Sequence, residues 1–206
     1  MSQSSYPVPA NITHYKQQIK RSKFLTWIAP VDSPKVAKQW IQSLKDEYPD
    51  ARHVCWAYIA GAPNTVLKSM SDDGEPNGTA GKPMLNVLEH SGVGDIGAVV
   101  VRYFGGIKLG TGGLVRAYSS SVSEAMKQAE FVNKIAMQTL YLTLSYAEEA
   151  QVRYLLADEK GQLLEVQYGN SVSISCCLPI QNIINFKQRL ALDIILRNEN
   201  LIIDET

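Results

Sequence analysis

Apolar positions along the chain switch between a period of two and a period near 3.6, and the switches outline most of the secondary structure. Residues 13–31 alternate as two strands broken at the basic cluster Lys20, Arg21, Ser22 and Lys23. The segment DSPKVAKQWIQSLKDEY (32–48) is helical: Ser33 caps it, Pro34 suits the first turn, and Val36, Ala37, Trp40, Ile41, Leu44 and Tyr48 fall on one face. DARHVCWAYIAG (50–61) predicts a strand ended by Gly61. A polar loop, SDDGEPNGTAGKPML (71–85), then runs into a short helix through Leu88. GAVVVRYF (97–104) is too continuously apolar to face water and reads as a buried strand. The glycine-rich turn GGIKLGTGG (105–113) follows it, and LVRAYSSSVSEAMKQA (114–129) makes a long helix.

After about residue 134 the character changes. TLYLTLSY (139–146) alternates as a strand, AEEAQVRYLLADEK (147–160) is a helix ended by Gly161, and LLEVQY (163–168) is a strand. Gly169–Asn170 turns the chain into the strand SVSISCCLPI (171–180), and a helix over 182–196 and a strand LIIDE (201–205) complete the order βαββαβ. That order is the ferredoxin-like pattern, an antiparallel sheet with two helices on one face. The expected architecture is α+β, with an N-terminal α/β domain over 1–134 and a ferredoxin-like domain over 135–206.

A length of 206 residues suits one large domain or two small ones. Lys+Arg and Asp+Glu are both 20, which excludes a globally basic nucleic-acid coater and an acidic disordered tail. The balance is uneven, however: residues 1–134 carry a net +4 and residues 135–206 a net −4. Of the 14 glycines, 12 lie between Gly61 and Gly113, so this window concentrates the backbone freedom that turns and ligand cradles need. Cys55, Cys176 and Cys177 cannot build a disulfide framework and have no metal-binding spacing. The chain shows neither a signal-peptide core nor the ~18 consecutive apolar residues of a membrane span, so the expected compartment is the cytoplasm, with no membrane partner.

Several motif matches fail on context. GVGDIG (92–97) spells the dinucleotide fingerprint, but it precedes a strand where the fingerprint must follow one, and it reads as a turn. Gly81–Lys82 lacks the P-loop Ser or Thr, since Pro83 stands there. Asp73, Glu75, Asn77 and Gly78 resemble the start of a calcium loop, yet Met84 occupies the position of the bidentate Glu. No metal or cofactor is expected. His53 and Cys55 share one face of a strand, where a packed thiol is the commoner arrangement than a nucleophile–base pair. Cys176 and Cys177 point to opposite faces, one toward the core and the other toward the surface.

The strongest constellation is VVVRYFGGIKLGTGGLVRAY (99–118). A buried strand delivers Arg102, Tyr103 and Phe104 to its end, and Gly105, Gly106, Gly110, Gly112 and Gly113 expose backbone N–H groups before a helix opens. Lys108 and Arg116 add positive charge, which suits an anion such as phosphate. The competing reading is a tight strand–helix corner in which the glycines only relieve sterics and Arg102 is salt-bridged.

RYFGGIKLG (102–110) preceded by GDIGAVVV (94–101) resembles the signature of the IMPACT/YigZ family. SDDGEPNGTAGKPML, DARHVCWAYIAG and KRSKF (20–24) are similar to its other segments, in the same order. Two departures stand out: Lys23 replaces a usual arginine, and Val54 replaces a histidine that a bacterial relative carries beside His53. The resemblance implies an N-terminal domain similar to the second domain of a small-subunit ribosomal protein, and a C-terminal domain similar to the last domain of elongation factor G. It also implies a link to translation. Eukaryotic members damp the amino-acid starvation response through an additional N-terminal domain that has no counterpart in this sequence, so that pathway does not carry over.

The expected function is a non-catalytic, translation-associated regulatory protein that binds RNA or the ribosome. Lys20, Arg21, Lys23, Lys82, Arg102, Lys108 and Arg116 would meet phosphates, and Tyr103, Phe104 or Tyr118 would stack on a base. The acidic C-terminal domain suits a protein partner. The alternative is a magnesium-dependent enzyme acting on a phosphorylated small molecule or nucleotide, with a secondary site built from Ser71, Asp72, Asp73, Glu75 and His53. A plainer third reading treats the 71–83 loop as an ordered surface of a protein-interaction module.

Overall fold

The computed structural model describes residues 5–195 and 202–205, and the chain divides into a unit spanning Tyr6–Lys134 and a second one that takes Ser5 and the residues from Ile135 onward. Both units mix helices with antiparallel sheet.

In the first unit, but for the terminal residues Ser5 and Ile135, β1 (Ser5–Pro9) pairs with β7 (Phe131–Ile135) as a separate two-stranded ribbon. The alternating run after it folds as the hairpin of β2 (Thr13–Ile19) and β3 (Ser22–Pro30), in register from Thr13 opposite Ile28 to Ile19 opposite Ser22. Its two-residue turn is Lys20 and Arg21, with φ of 45° and 66°. These are the angles of a type I′ turn, which glycine and asparagine usually occupy, so two long basic side chains hold a left-handed conformation at the tip. Helix α1 (Pro34–Glu47) starts as its sequence dictates, with the Ser33 hydroxyl accepting from the Val36 N–H and proline in the first turn.

β4 (His53–Ile59), β5 (Lys68–Ser71), α2 (Gly81–Ser91), β6 (Ile96–Tyr103) and α3 (Thr111–Gln128) complete the unit. The five-stranded sheet has the order β2-β3-β6-β4-β5 with every neighbouring pair antiparallel. β6 is central and covered on both faces, which explains its unbroken apolar run. Phe24, Ile28, Cys55, Ala98 and Val100 pack with Met84 and Leu88 of α2 and with Tyr118 and Val122 of α3. On the other face, Trp27, Val54, Tyr58, Val99 and Val101 pack with Ala37, Ile41 and Leu44 of α1.

The GVGDIG segment is the turn that its position before β6 implied. Gly92 ends α2 with φ 69°, and the buried Asp95 accepts hydrogen bonds from the Tyr6 hydroxyl (3.2 Å) and Lys134 Nζ (2.5 Å). The segment therefore ties the first and last strands of the unit to the entry of β6.

The second unit runs β8 (Met137–Leu144), α4 (Glu149–Asp158), β9 (Gln162–Tyr168), β10 (Val172–Pro179), α5 (Ile183–Ile195) and β11 (Ile202–Glu205). Its sheet order is β11-β8-β10-β9, antiparallel throughout. Leu140, Leu142, Leu144, Ile174 and Cys176 face Val152, Leu155, Leu156, Phe186 and Leu190. Cys176 is buried and Cys177 half-buried, as neighbours on a strand should be. The helix expected over 182–196 and the strand expected over 201–205 each include one residue, 196 and 201, outside the described set. No helix among the described residues is long and apolar enough to cross a membrane.

Candidate functional site

β6 ends by sending alternate side chains to opposite faces. Arg102 sits beside Phe24 and His53, whereas Tyr103 sits beside Lys23 on the other face. The placement of Arg102 corrects the expectation that it is an open phosphate contact. Its side chain is buried, Nη1 donates to Glu75 Oε1 at 2.6 Å, and Nη2 donates to Ser22 Oγ at 3.4 Å. The guanidinium carbon also lies 5.6 Å from the ring centre of Phe24 and 5.7 Å from that of Phe104. The cause is side-chain alternation, which turns Arg102 toward the face that the 71–80 loop closes. Glu75 Oε1 accepts a second hydrogen bond from the Tyr118 hydroxyl at 2.8 Å, so Tyr118 is a core residue and no base-stacking surface.

The acidic residues proposed for a secondary site are likewise engaged within the loop. Asp72 accepts the N–H groups of Gly78 (2.8 Å), Ala80 (2.9 Å) and Gly81 (2.8 Å), at the start of α2. Burial pushes its carboxyl upward, but the three donors outweigh that and hold it below the usual carboxylate range. Asp73 accepts from Lys45 Nζ (2.5 Å) and from the Val54 N–H (2.8 Å). His53 Nδ1 lies 3.0 Å from the Asp73 carbonyl oxygen, and the Ser71 hydroxyl accepts from the Asp73 N–H. Ser71, Asp72, Asp73, Glu75 and His53 are thus brought together, but as the fastening of a loop across the ends of β4 and β6.

Cys55 is buried with its thiol donating to the Asp72 carbonyl at 2.9 Å, and burial pushes the thiol up, far from thiolate chemistry. Burial likewise pushes Cys176 up to about 11. Alkylation of the native protein at pH 8 should therefore label Cys177 alone, with Cys55 and Cys176 reacting only in denaturant. Native labelling of Cys55, read by peptide mass, would contradict this burial.

The exposed cations among the candidate site residues separate into three places. Arg21 and Lys23 of the hairpin line an open groove of about 740 Å³ together with Lys16, Leu25, Tyr103 and Phe104. Lys16 was not anticipated; β2 alternation places it opposite Leu25, beside the Lys23 position, a relation that needs the strand register. None of Lys16, Arg21 and Lys23 has an ion-pair partner among the described residues, and Lys20 is exposed at the adjoining turn. The Tyr103 hydroxyl donates to Asp50 at 2.9 Å, and Phe104 is 52% exposed.

Lys108, Gly110, Gly112 and Arg116 are exposed around the first turn of α3, which begins at Thr111 so that Gly112 and Gly113 are helical. Gly106 and Gly110 take positive φ values of 84° and 74°. Lys82 is elsewhere, in a separate groove between α2 and α3 lined by Val87, Val115 and Met126. Gly105 links the turn to the hairpin: a Cβ there would fall 2.0 Å from the Arg21 carbonyl carbon.

The fold and this signature define a class. Residues 20–126 match the Impact N-terminal domain, and residues 142–191 match a domain of unknown function, DUF1949. The chain belongs to the IMPACT family. It is 42% identical over 188 residues to IMPACT family member YigZ of Escherichia coli strain K12, covering 91% of this chain and 92% of that one. Identity to an IMPACT family member of Haemophilus influenzae is 42% over 178 residues, 86% of this chain and 85% of the other. Protein IMPACT of Homo sapiens is 35% identical over 95 residues, which is 44% of this chain and 29% of that protein. A solved structure described as the crystal structure of an hypothetical protein superposes with a TM-score of 0.79 at 38% identity, over 99% of this chain and 98% of the other.

Proposed function

We propose that the protein is a non-catalytic, translation-associated regulatory protein that contacts RNA phosphates, free or on the ribosome, through its hairpin groove. The observation carrying this reading is the meeting of Lys16, Arg21 and Lys23, without ion-pair partners among the described residues, with Tyr103 and Phe104 in one groove. Cations and aromatic rings in one open groove are what single-strand binding uses. The left-handed Lys20–Arg21 turn adds to it, since a strained backbone that presents two basic side chains is accounted for by what those side chains do. Lys108 and Arg116, beside the α3 N-terminus, extend the basic surface.

The family resemblance supplies the link to translation. The sheet order β11-β8-β10-β9 with βαββαβ connectivity supports a ferredoxin-like assignment of residues 135–206, similar to the last domain of elongation factor G. The first unit, residues 1–134 in this reading, is assigned to the ribosomal-protein-like fold, and the acidic second unit to a protein contact. The alternative of a magnesium-dependent enzyme loses its footing because Asp72, Asp73 and Glu75 are each bound to groups of the fold itself.

Lys16, Lys20, Arg21 and Lys23 neutralising about four phosphates of single-stranded RNA would make log affinity fall with log salt at a slope near −3. Each Lys→Gln change in the groove should reduce that slope by about 0.7. Fluorescence anisotropy of a labelled oligonucleotide over a salt series measures it. Salt-insensitive binding, or none at micromolar RNA, overturns the reading.

A further inference from the structure

Phe104 is an exposed aromatic ring with a buried cation behind it. Arg102 lies between two rings, Phe24 in the core and Phe104 at the surface, at 5.6 and 5.7 Å. The guanidinium is fixed in turn by Glu75, which Tyr118 of α3 also bonds. Arg102 Nε is buried with no hydrogen-bond partner among the described residues, where the guanidinium is held by the ionic bond to Glu75, the long contact to Ser22 and its two aromatic neighbours. An exposed Phe ring in a loop is ordinarily free to turn; this one rests against an anchored planar cation. About half of its surface remains open, and the ring forms one wall of the groove whose other walls carry Lys16, Arg21 and Lys23.

We infer that the groove takes single-stranded in preference to duplex RNA, with one unpaired base stacked on Phe104, and that Arg102 is the positioning residue for that ring. This rests on the RNA reading proposed above and specifies its substrate class. Cations alone do not discriminate strandedness, because phosphates are present in both forms. A solvent-facing ring does discriminate, because a base in a duplex has both of its faces occupied by its neighbours, whereas a single strand can splay a base out onto an aromatic side chain. The volume of about 740 Å³ agrees, since it lies in the range of small-molecule pockets, about 300–1,000 Å³, and suits a short stretch of single strand. The backing cation also withdraws electron density from the inner face of Phe104, and the fixed ring avoids the ordering cost a mobile one would incur on binding.

The test compares a labelled single-stranded RNA decamer with its duplex, by anisotropy at one salt concentration, for the full chain and its variants. The unchanged protein should favour the single strand about tenfold or more. F104A should lose about that factor for the single strand and leave duplex affinity unchanged, and F104W should retain the preference. R102K keeps a positive charge for Glu75 but removes the planar group behind the ring. It should lower single-strand affinity with duplex affinity held, a ratio that a merely structural role would not move. If R102K fails to fold, the Phe104 variants still decide the stacking claim. Equal binding of both RNAs, or F104A binding like the parent while K23E loses both, overturns the stacking inference and leaves the phosphate groove standing. No binding of either RNA overturns the groove reading as well.

Discussion

Glu75→Ala is expected to lower folding stability by about 3–5 kcal/mol, the range for breaking a buried ion pair from one side. Arg102, 6% exposed in the intact protein, would be left with a full charge and no carboxylate, and the Tyr118 hydroxyl, itself buried, would lose its acceptor. Both orphaned groups belong to the central layer of the first unit, one on β6 and one on α3, so little local relaxation can bring water to them. The 71–80 loop would lose its attachment to β6 while keeping the Asp72 bonds to Gly78, Ala80 and Gly81. Urea denaturation followed by tryptophan fluorescence measures the loss. The partly exposed pair of Lys68 and Glu89 provides the contrast, because Glu89→Ala should cost below about 1 kcal/mol. Replacing the buried pair together, as Glu75→Leu with Arg102→Met, should recover much of the loss, since apolar side chains carry no uncompensated charge. A Glu75→Ala midpoint matching that of Glu89→Ala would show that the Arg102 site is wetter than its geometry indicates.

The same residues show what a sequence discloses and where it stops. α1, β6 and the hairpin were legible because their cues are local: a serine and proline at a helix start, an unbroken apolar run, a polar break between alternating segments. β1, β5 and β7 were not, since strands of four or five residues without clean alternation carry almost no periodic signal. The buried position of β6 made a salt-bridged Arg102 conceivable, but its partner could not be read, because Glu75 reaches it only through the path of a loop 27 residues earlier. Lys16 escaped notice for a related reason. In sequence it is one cation among glutamines, and only the register opposite Leu25 places it in the groove with Lys23. Conversely, Lys82 stood among the candidate phosphate contacts, and the start of α2 carries it to another groove. Charge and glycine content pointed to the window from residue 61 to 113; which cations share a surface depended on contacts between distant segments.

Gly105→Ala should be the most damaging single methyl in the glycine turn, for stability and for RNA binding together. The new Cβ would lie 2.0 Å from the carbonyl carbon and 2.1 Å from the carbonyl oxygen of Arg21. Main chain cannot swing aside as a side chain can, and Arg21 already holds φ 66° in a two-residue turn, so the hairpin tip must move as a unit. Moving it breaks the 3.4 Å bond from the Gly105 N–H to Ser22 Oγ and disturbs the Arg102 contact to that same oxygen. The cost belongs at or beyond the upper end of the ~1–3 kcal/mol found for overpacking. Because Lys20, Arg21 and Lys23 ride on the displaced hairpin, affinity for single-stranded RNA should fall in any variant that still folds. The neighbouring Gly106 separates this close approach from simple backbone strain. It has φ 84° but nothing among the described residues within 4 Å of an added Cβ, so Gly106→Ala should cost only the left-handed penalty of about 1–2 kcal/mol and leave RNA affinity in place. Thermal denaturation and anisotropy on the two variants side by side decide the matter. Equal losses for both would mean that the hairpin tip does not rest on the glycine turn, and the groove would lose the support that fixes its cations.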